Sequence, residues 1–195
     1  MQHLLKCIFF ILFLSFLSAC KPVGSINKFV ATDITGANFA QSFNLTDHTG
    51  KPRSLADFKG KAVALFFGYT HCPDVCPTTM ADLKQTMKLL GSRADEVQVL
   101  FVTLDPARDT QELLAEFVPS FDKRFIGLRG SEQETAAVAE VFKVYAKKVY
   151  EQGKGGYTID HSAGLYVFDK LGNVRLYVDY GEKPSEIAND IKQIL

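Results

Sequence analysis

The sequence predicts an α/β fold built on buried parallel strands. Three observations carry this. Residues 62–67 (Ala62-Val63-Ala64-Leu65-Phe66-Phe67) and 97–104 are continuous apolar runs, as in strands covered on both faces. Segments of helical period follow them, and parallel strands need such crossovers. The chain then closes with an antiparallel hairpin and a helix. A β-α-β start with that ending is the thioredoxin-like pattern, here with residues 39–55 as an N-terminal β extension and the middle helices as inserted elements.

Taken in order, residues 39–45 alternate weakly, and Asp47-His48-Thr49-Gly50-Lys51 carries turn chemistry. Residues 61–69 form the first buried strand. Pro77 suits the first position of a helix, where its missing N–H is not needed. Met80, Leu83, Met87 and Leu90 recur at helical spacing, and Gly91 ends the helix. Residues 97–104 are the second buried strand. Asp109 is the expected N-cap of a helix through Leu113, Leu114 and Phe117. Residues 125–128 read as a short strand. Ser131 and Glu134 make a capping box opening a helix through Val138 and Phe142. Residues 165–169 and 174–180 flank Lys170-Leu171-Gly172-Asn173 as a hairpin. Pro184 opens a last helix with Ile187, Ile191 and Ile194 on one face.

With 195 residues, 47% of them hydrophobic, the chain suffices for one domain with a sizeable core. Lysine plus arginine equals aspartate plus glutamate at 22 each, so charge gives no reason to expect nucleic acid as a partner. The 16 phenylalanines read as core. The first residues differ. Lys6 precedes an apolar and serine run over 7–17, shorter than the roughly 20 residues a bilayer span needs. It reads as a secretory signal. Leu17-Ser18-Ala19-Cys20 resembles the lipobox of bacterial lipoproteins, in which the cysteine is lipidated and becomes the new N-terminus. The expected organisation is a signal over 1–19, lipidated Cys20 and a tether over 20–33, and one domain over 34–195. The body would face the periplasm or the exterior, held to a bacterial membrane by lipid.

Cysteine arithmetic then leaves two thiols. Cys7 leaves with the signal and Cys20 carries lipid, so Cys72 and Cys76 remain. They sit in Gly68-Tyr69-Thr70-His71-Cys72-Pro73-Asp74-Val75-Cys76-Pro77, where the first buried strand hands over to a helix. Proline disfavours helical geometry in the residue before it, so both cysteines are expected outside the helix. Cys76 then falls near the N-cap, where the helix dipole should lower its thiol pKa below the free value of about 8.5. Thiolates are soft ligands that select Cu(I) or Zn(II). Two thiolates and one imidazole suit Cu(I) and accept a fourth ligand for Cu(II). A structural zinc wants four protein ligands, and an iron–sulfur cluster usually wants four cysteines. Of the histidines, His3 leaves with the signal, His48 lies in a turn, and His71 points away from its neighbour Cys72 on an extended segment. His161 remains, in a loop at Tyr157-Thr158-Ile159-Asp160-His161-Ser162 after the glycine-rich 153–156, with Asp160 either orienting it or lying on the surface.

Three stretches resemble the Sco/SenC family of copper proteins: residues 68–79, Thr103-Leu104-Asp105-Pro106-Ala107-Arg108-Asp109-Thr110, and Ile159-Asp160-His161-Ser162. They stand in the family's order and spacing, over about residues 33–195. The resemblance implies a thioredoxin-like fold and copper held by Cys72, Cys76 and His161. It also implies a role in assembling the binuclear copper site of cytochrome c oxidase, by delivering copper, by keeping that site's cysteines reduced, or both. The expected partners are the oxidase subunit that bears the site or another cuproprotein, and a copper donor. Asp105 and Arg108 are read as shaping the loop near the site. The main alternative is a membrane-tethered thiol–disulfide oxidoreductase using Cys72 and Cys76 as a redox pair. Its C-x3-C spacing departs from the two-residue gap of thioredoxin, and it gives His161 no task. A peroxidase and a purely structural Cys72–Cys76 disulfide are weaker readings.

Overall fold

A computed structural model describes residues 28–150 and 156–195. The expected signal, Cys20 and most of the expected tether lie outside the described residues.

Among the described residues, ten strands and four α-helices follow one another: β1 (Thr32–Asp33), β2 (Asn44–Asp47), β3 (Pro52–Ser54), β4 (Ala62–Gly68), α1 (Val75–Leu90), β5 (Val97–Thr103), α2 (Gln111–Phe121), β6 (Ile126–Arg129), α3 (Glu132–Val141), β7 (Ala146–Tyr150), β8 (Tyr157–His161), β9 (Leu165–Phe168), β10 (Val174–Val178) and α4 (Pro184–Ile194). Eight of the strands form one sheet in the order β1-β10-β9-β4-β5-β6-β2-β3, while β7 and β8 pair only with each other. β4, β5 and β6 are parallel. β9 runs antiparallel to β4 and β10 antiparallel to β9, as the thioredoxin-like ending requires.

β4 and β5 are buried along all seven residues each, because helices or the N-terminal extension cover both faces. Alternate side chains divide between two cores. Phe66 and Phe101 face Met80, Leu83 and Met87 of α1 and Ile187 and Ile191 of α4. Leu65, Phe67, Leu100 and Val102 face Phe58, Phe142 and Phe168. The capping box of α3 is present, with Ser131 Oγ accepting from the Glu134 N–H at 3.2 Å. Pro184 occupies the first turn of α4 as expected.

Four expectations need correction. Residues 29–33, read as tether, pack on the domain: Ala31 is buried, and the N–H groups of Val30 and Ala31 both donate at 2.8 Å to buried Asp190 on α4. The cap of α2 is Thr110, whose hydroxyl accepts from the Leu113 N–H. Asp109 is instead fully buried among Thr70 and Thr103. Helix α1 starts at Val75, so Cys76 lies inside its first turn. Pro77 tolerates this because the first four N–H groups have no intrahelical partner. Lastly, the stretch read as a loop around His161 is the β7–β8 hairpin.

Candidate metal centre

Cys76 is placed by the most buried part of the molecule. It follows β4 by a tight turn and tucks its sulfur against the end of that strand, with none of the residue exposed. Gly68 makes the space. A Cβ there would stand 2.9 Å from the Cys76 sulfur and from Phe66, and 3.0 Å from Phe101. Cys72 lies at the open side of the turn, partly exposed. Its N–H donates to the Tyr69 carbonyl at 3.3 Å, and its Sγ accepts from the Cys76 N–H at 3.4 Å. The turn is pinned from below by Asp109, whose carboxylate accepts from the Thr70 N–H at 3.0 Å, the Thr70 hydroxyl at 2.6 Å and the Thr103 hydroxyl at 2.6 Å. A buried carboxylate needs such donors.

His161 comes from 85 residues away, at the end of β8. Strand alternation puts Tyr157, Ile159 and His161 on one face, and Asp160 is exposed. The ring stands 5.9 Å from Tyr69 and 6.3 Å from Phe66, centroid to centroid. Its Nδ1 lies 2.9 Å from the Ser162 carbonyl, which can only accept, so Nδ1 carries the proton. That leaves the Nε2 lone pair facing the sulfurs, 3.5 Å from Cys76 Sγ. The orienting group is thus the Ser162 carbonyl rather than Asp160.

Cys72, Cys76 and His161 therefore meet, their three ligand atoms all within 4.8 Å of one another. Ligands about 2.0–2.3 Å from a shared ion stand about 3.5–4 Å apart in trigonal geometry. The observed spacing accepts an ion with small side-chain movements. A cavity of about 420 Å³ opens beside them, lined by Tyr69, Cys72, Pro73, Val75, Ile159 and His161.

Electrostatics reverses one expectation. Burial pushes the Cys76 thiol well up rather than down, outweighing the Tyr69 backbone hydrogen bond that favours the thiolate. Burial also lowers the His161 pKa, against the opposing pull of the Ser162 carbonyl and Asp160, and so keeps the imidazole neutral. A neutral imidazole is ligand-ready, whereas the sulfur must shed its proton as a metal enters.

The other two histidines among the described residues stay apart from this cluster. His48 Nδ1 accepts from the Gly127 N–H at 2.9 Å, and His71 Nδ1 lies 3.0 Å from the Thr70 hydroxyl. Asp105 and Arg108 form an ion pair, and both reach Tyr157 on β8: the Tyr157 hydroxyl donates to Asp105 Oδ1 at 2.7 Å, and Arg108 Nη1 donates to the Tyr157 carbonyl at 2.9 Å. Tyr69 and Tyr157 were not singled out from sequence, and Asp109 was read there only as a helix cap. Only the alternation Tyr157, Ile159, His161 signalled that a tyrosine shares the histidine's face.

The family model described as SCO1/SenC matches residues 31–195. The mitochondrial SCO2 homolog of Bos taurus is 35% identical over 153 residues, spanning 77% of this chain and 58% of that protein. The chain thus spans little more than half the length of that relative. The structure of Bradyrhizobium japonicum ScoI with copper bound shares 40% identity at a TM-score of 0.72, covering 79% of this chain and 98% of that one. A SCO1/SenC family lipoprotein from Bacillus anthracis shares 26% identity at a TM-score of 0.68, covering 78% and 92%.

Proposed function

The chain belongs to the SCO1/SenC family, and on that premise we propose that it is a copper-binding metallochaperone whose cargo is held by Cys72, Cys76 and His161. The observation that carries the reading is the convergence of two sulfurs and a tautomer-fixed imidazole from remote segments. Thiolates select a soft ion, and three donors beside an open cavity leave a position for an incoming ligand. The recipient is the binuclear copper site of cytochrome c oxidase or of another cuproprotein, and a copper donor loads the protein.

The same sulfurs support a companion role in reducing a partner disulfide. Two thiols become a Cys72–Cys76 disulfide while the partner's disulfide takes up two electrons and two protons. Partly exposed Cys72 is the sulfur a partner reaches. Export and lipid attachment at Cys20 complete the proposal, supported by the lipoprotein relative. No helix among the described residues is long and apolar enough to cross a membrane.

The test is copper binding by the reduced full chain. Cys72→Ala and Cys76→Ala are expected to abolish it, and His161→Ala to weaken it strongly. Unchanged copper stoichiometry in all three variants would overturn the reading.

A further inference from the structure

An isolated two-stranded hairpin is marginally stable in water. The β7–β8 hairpin stands outside the main sheet, yet it carries His161. Its β7 residues are mostly exposed, so hydrophobic burial anchors the hairpin chiefly through Ile159 of β8, which sits in the core with Tyr157 packed beside it. Polar side chains add to that hold along β8. Arg108 Nη1 donates to the Tyr157 carbonyl, and the Ile159 N–H donates to the Tyr69 hydroxyl at 3.2 Å. These two side chains occupy the place of a neighbouring strand.

Arg108 is itself held on three sides. Its Nε pairs with Asp105, a residue with no exposure, and its guanidinium lies 3.7 Å above the Tyr157 ring. Asp105 closes the arrangement by accepting from the Tyr157 hydroxyl. The Asp105 backbone is anchored too. Its N–H donates to Thr103 Oγ1 at 2.9 Å, and its carbonyl accepts from the Asp109 N–H at 2.8 Å. Asp109 is the carboxylate that pins the cysteine turn. One short loop after β5 therefore holds both ligand-bearing segments. Four residue steps of extended strand, about 13 Å, separate Tyr157 from His161.

We propose that Arg108, oriented by Asp105, is the positioning residue that sets the reach of His161, fastening the hairpin at Tyr157 so that the imidazole stays over the sulfurs. The proposal rests on His161 as a copper ligand. A planar fork that bonds a carboxylate and a carbonyl while stacking on a ring is a task lysine cannot perform, since its ammonium is a point charge.

The experiment measures Cu(I) affinity of the full chain by competition with a chromophoric chelator. The variants are Arg108→Met, Arg108→Lys, Tyr157→Phe, His161→Ala and the double variant Arg108→Met/His161→Ala. Amide hydrogen exchange is followed at Ile159 and in β4. Arg108→Met should weaken copper binding about 10- to 100-fold, as loss of a ligand-supporting contact does. Arg108→Lys should not restore it, and Tyr157→Phe should fall between. The double variant should bind no more weakly than His161→Ala alone, because the two changes act through one imidazole. Exchange at Ile159 should quicken while β4 stays protected.

Wild-type affinity with an unchanged Ile159 amide in Arg108→Met would overturn the proposal. So would a full further loss on adding Arg108→Met to His161→Ala. If β4 protection collapses in Arg108→Met, Tyr157→Phe decides by the same criteria. Full copper affinity in His161→Ala would instead sink the ligand assignment itself, and unchanged Ile159 exchange in Arg108→Met would then sink the clamp as well.

Discussion

The two segments that bring Cys72, Cys76 and His161 together are built in opposite ways. The cysteine turn hangs from β4, a central strand with all seven residues buried between two cores, and Cys76 has no exposed surface. The imidazole rides on a two-stranded ribbon whose outer strand is mostly exposed, with Tyr150 at 71%. Burial fixes the sulfurs, and polar clasps fix the imidazole. A carrier that must both hold and release an ion gains from this asymmetry. Its firm side keeps the ion, and its lighter side can yield without disturbing the fold.

The contrast can be broken most severely from the core. Phe67 packs at 5.1 Å, centroid to centroid, against Phe142 and has no exposure. Phe67→Ala should destabilise by about 3–5 kcal/mol, with both segments lost together in chemical denaturation. Gly68→Ala is a finer probe of the firm side. Its new methyl group meets the Cys76 sulfur, Phe66 and Phe101 at once, so unfolding should ease by about 1–3 kcal/mol and copper affinity should fall. Retained stability with full affinity would show that the sulfur berth is softer than its packing indicates.

Acid provides a third comparison. Burial pushes the Asp47 carboxyl up, but hydrogen bonds from Thr49, Arg53 and the N–H groups of Lys51 and Thr49 outweigh it and hold the carboxyl well below the usual range. A lowered folded pKa adds stability above the unfolded value of about 3.9, and that stability is lost as pH falls through the folded one. Asp47 should therefore contribute to acid unfolding below about pH 4, and Asp47→Asn should flatten that limb in a circular-dichroism titration. The smallest effect is expected at the hairpin tip. Tyr150→Ser should change stability by no more than about 0.5 kcal/mol, measured by thermal melting.

The same asymmetry explains what could be read from the chain alone. β4, β5, α1, α4 and the β9–β10 hairpin announced themselves through apolar runs, helical spacing and turn residues, because burial selects such patterns. The β7–β8 hairpin did not. Ala146, Lys147 and Lys148 are exposed and carry no apolar alternation, and the contacts that order β8 come from Tyr69, Asp105 and Arg108, distant in sequence. Cys72, Cys76 and His161 were readable because soft ligands are few. The burial of Cys76 was not, since local helix-end reasoning ignores the core behind the sulfur. Asp109 was misread for a related reason: it looks like a cap locally, but tertiary donors claim its carboxylate.

One feature sets a direction for the cargo. The three donors differ in access: Cys76 is sealed, whereas Cys72 and His161 are half-buried and line the cleft. An arriving thiolate would reach a bound ion from that open flank, so Cys72 and His161 would be exchanged before Cys76. On the proposed function, unloading would therefore be sequential, with a stage in which both proteins share the ion.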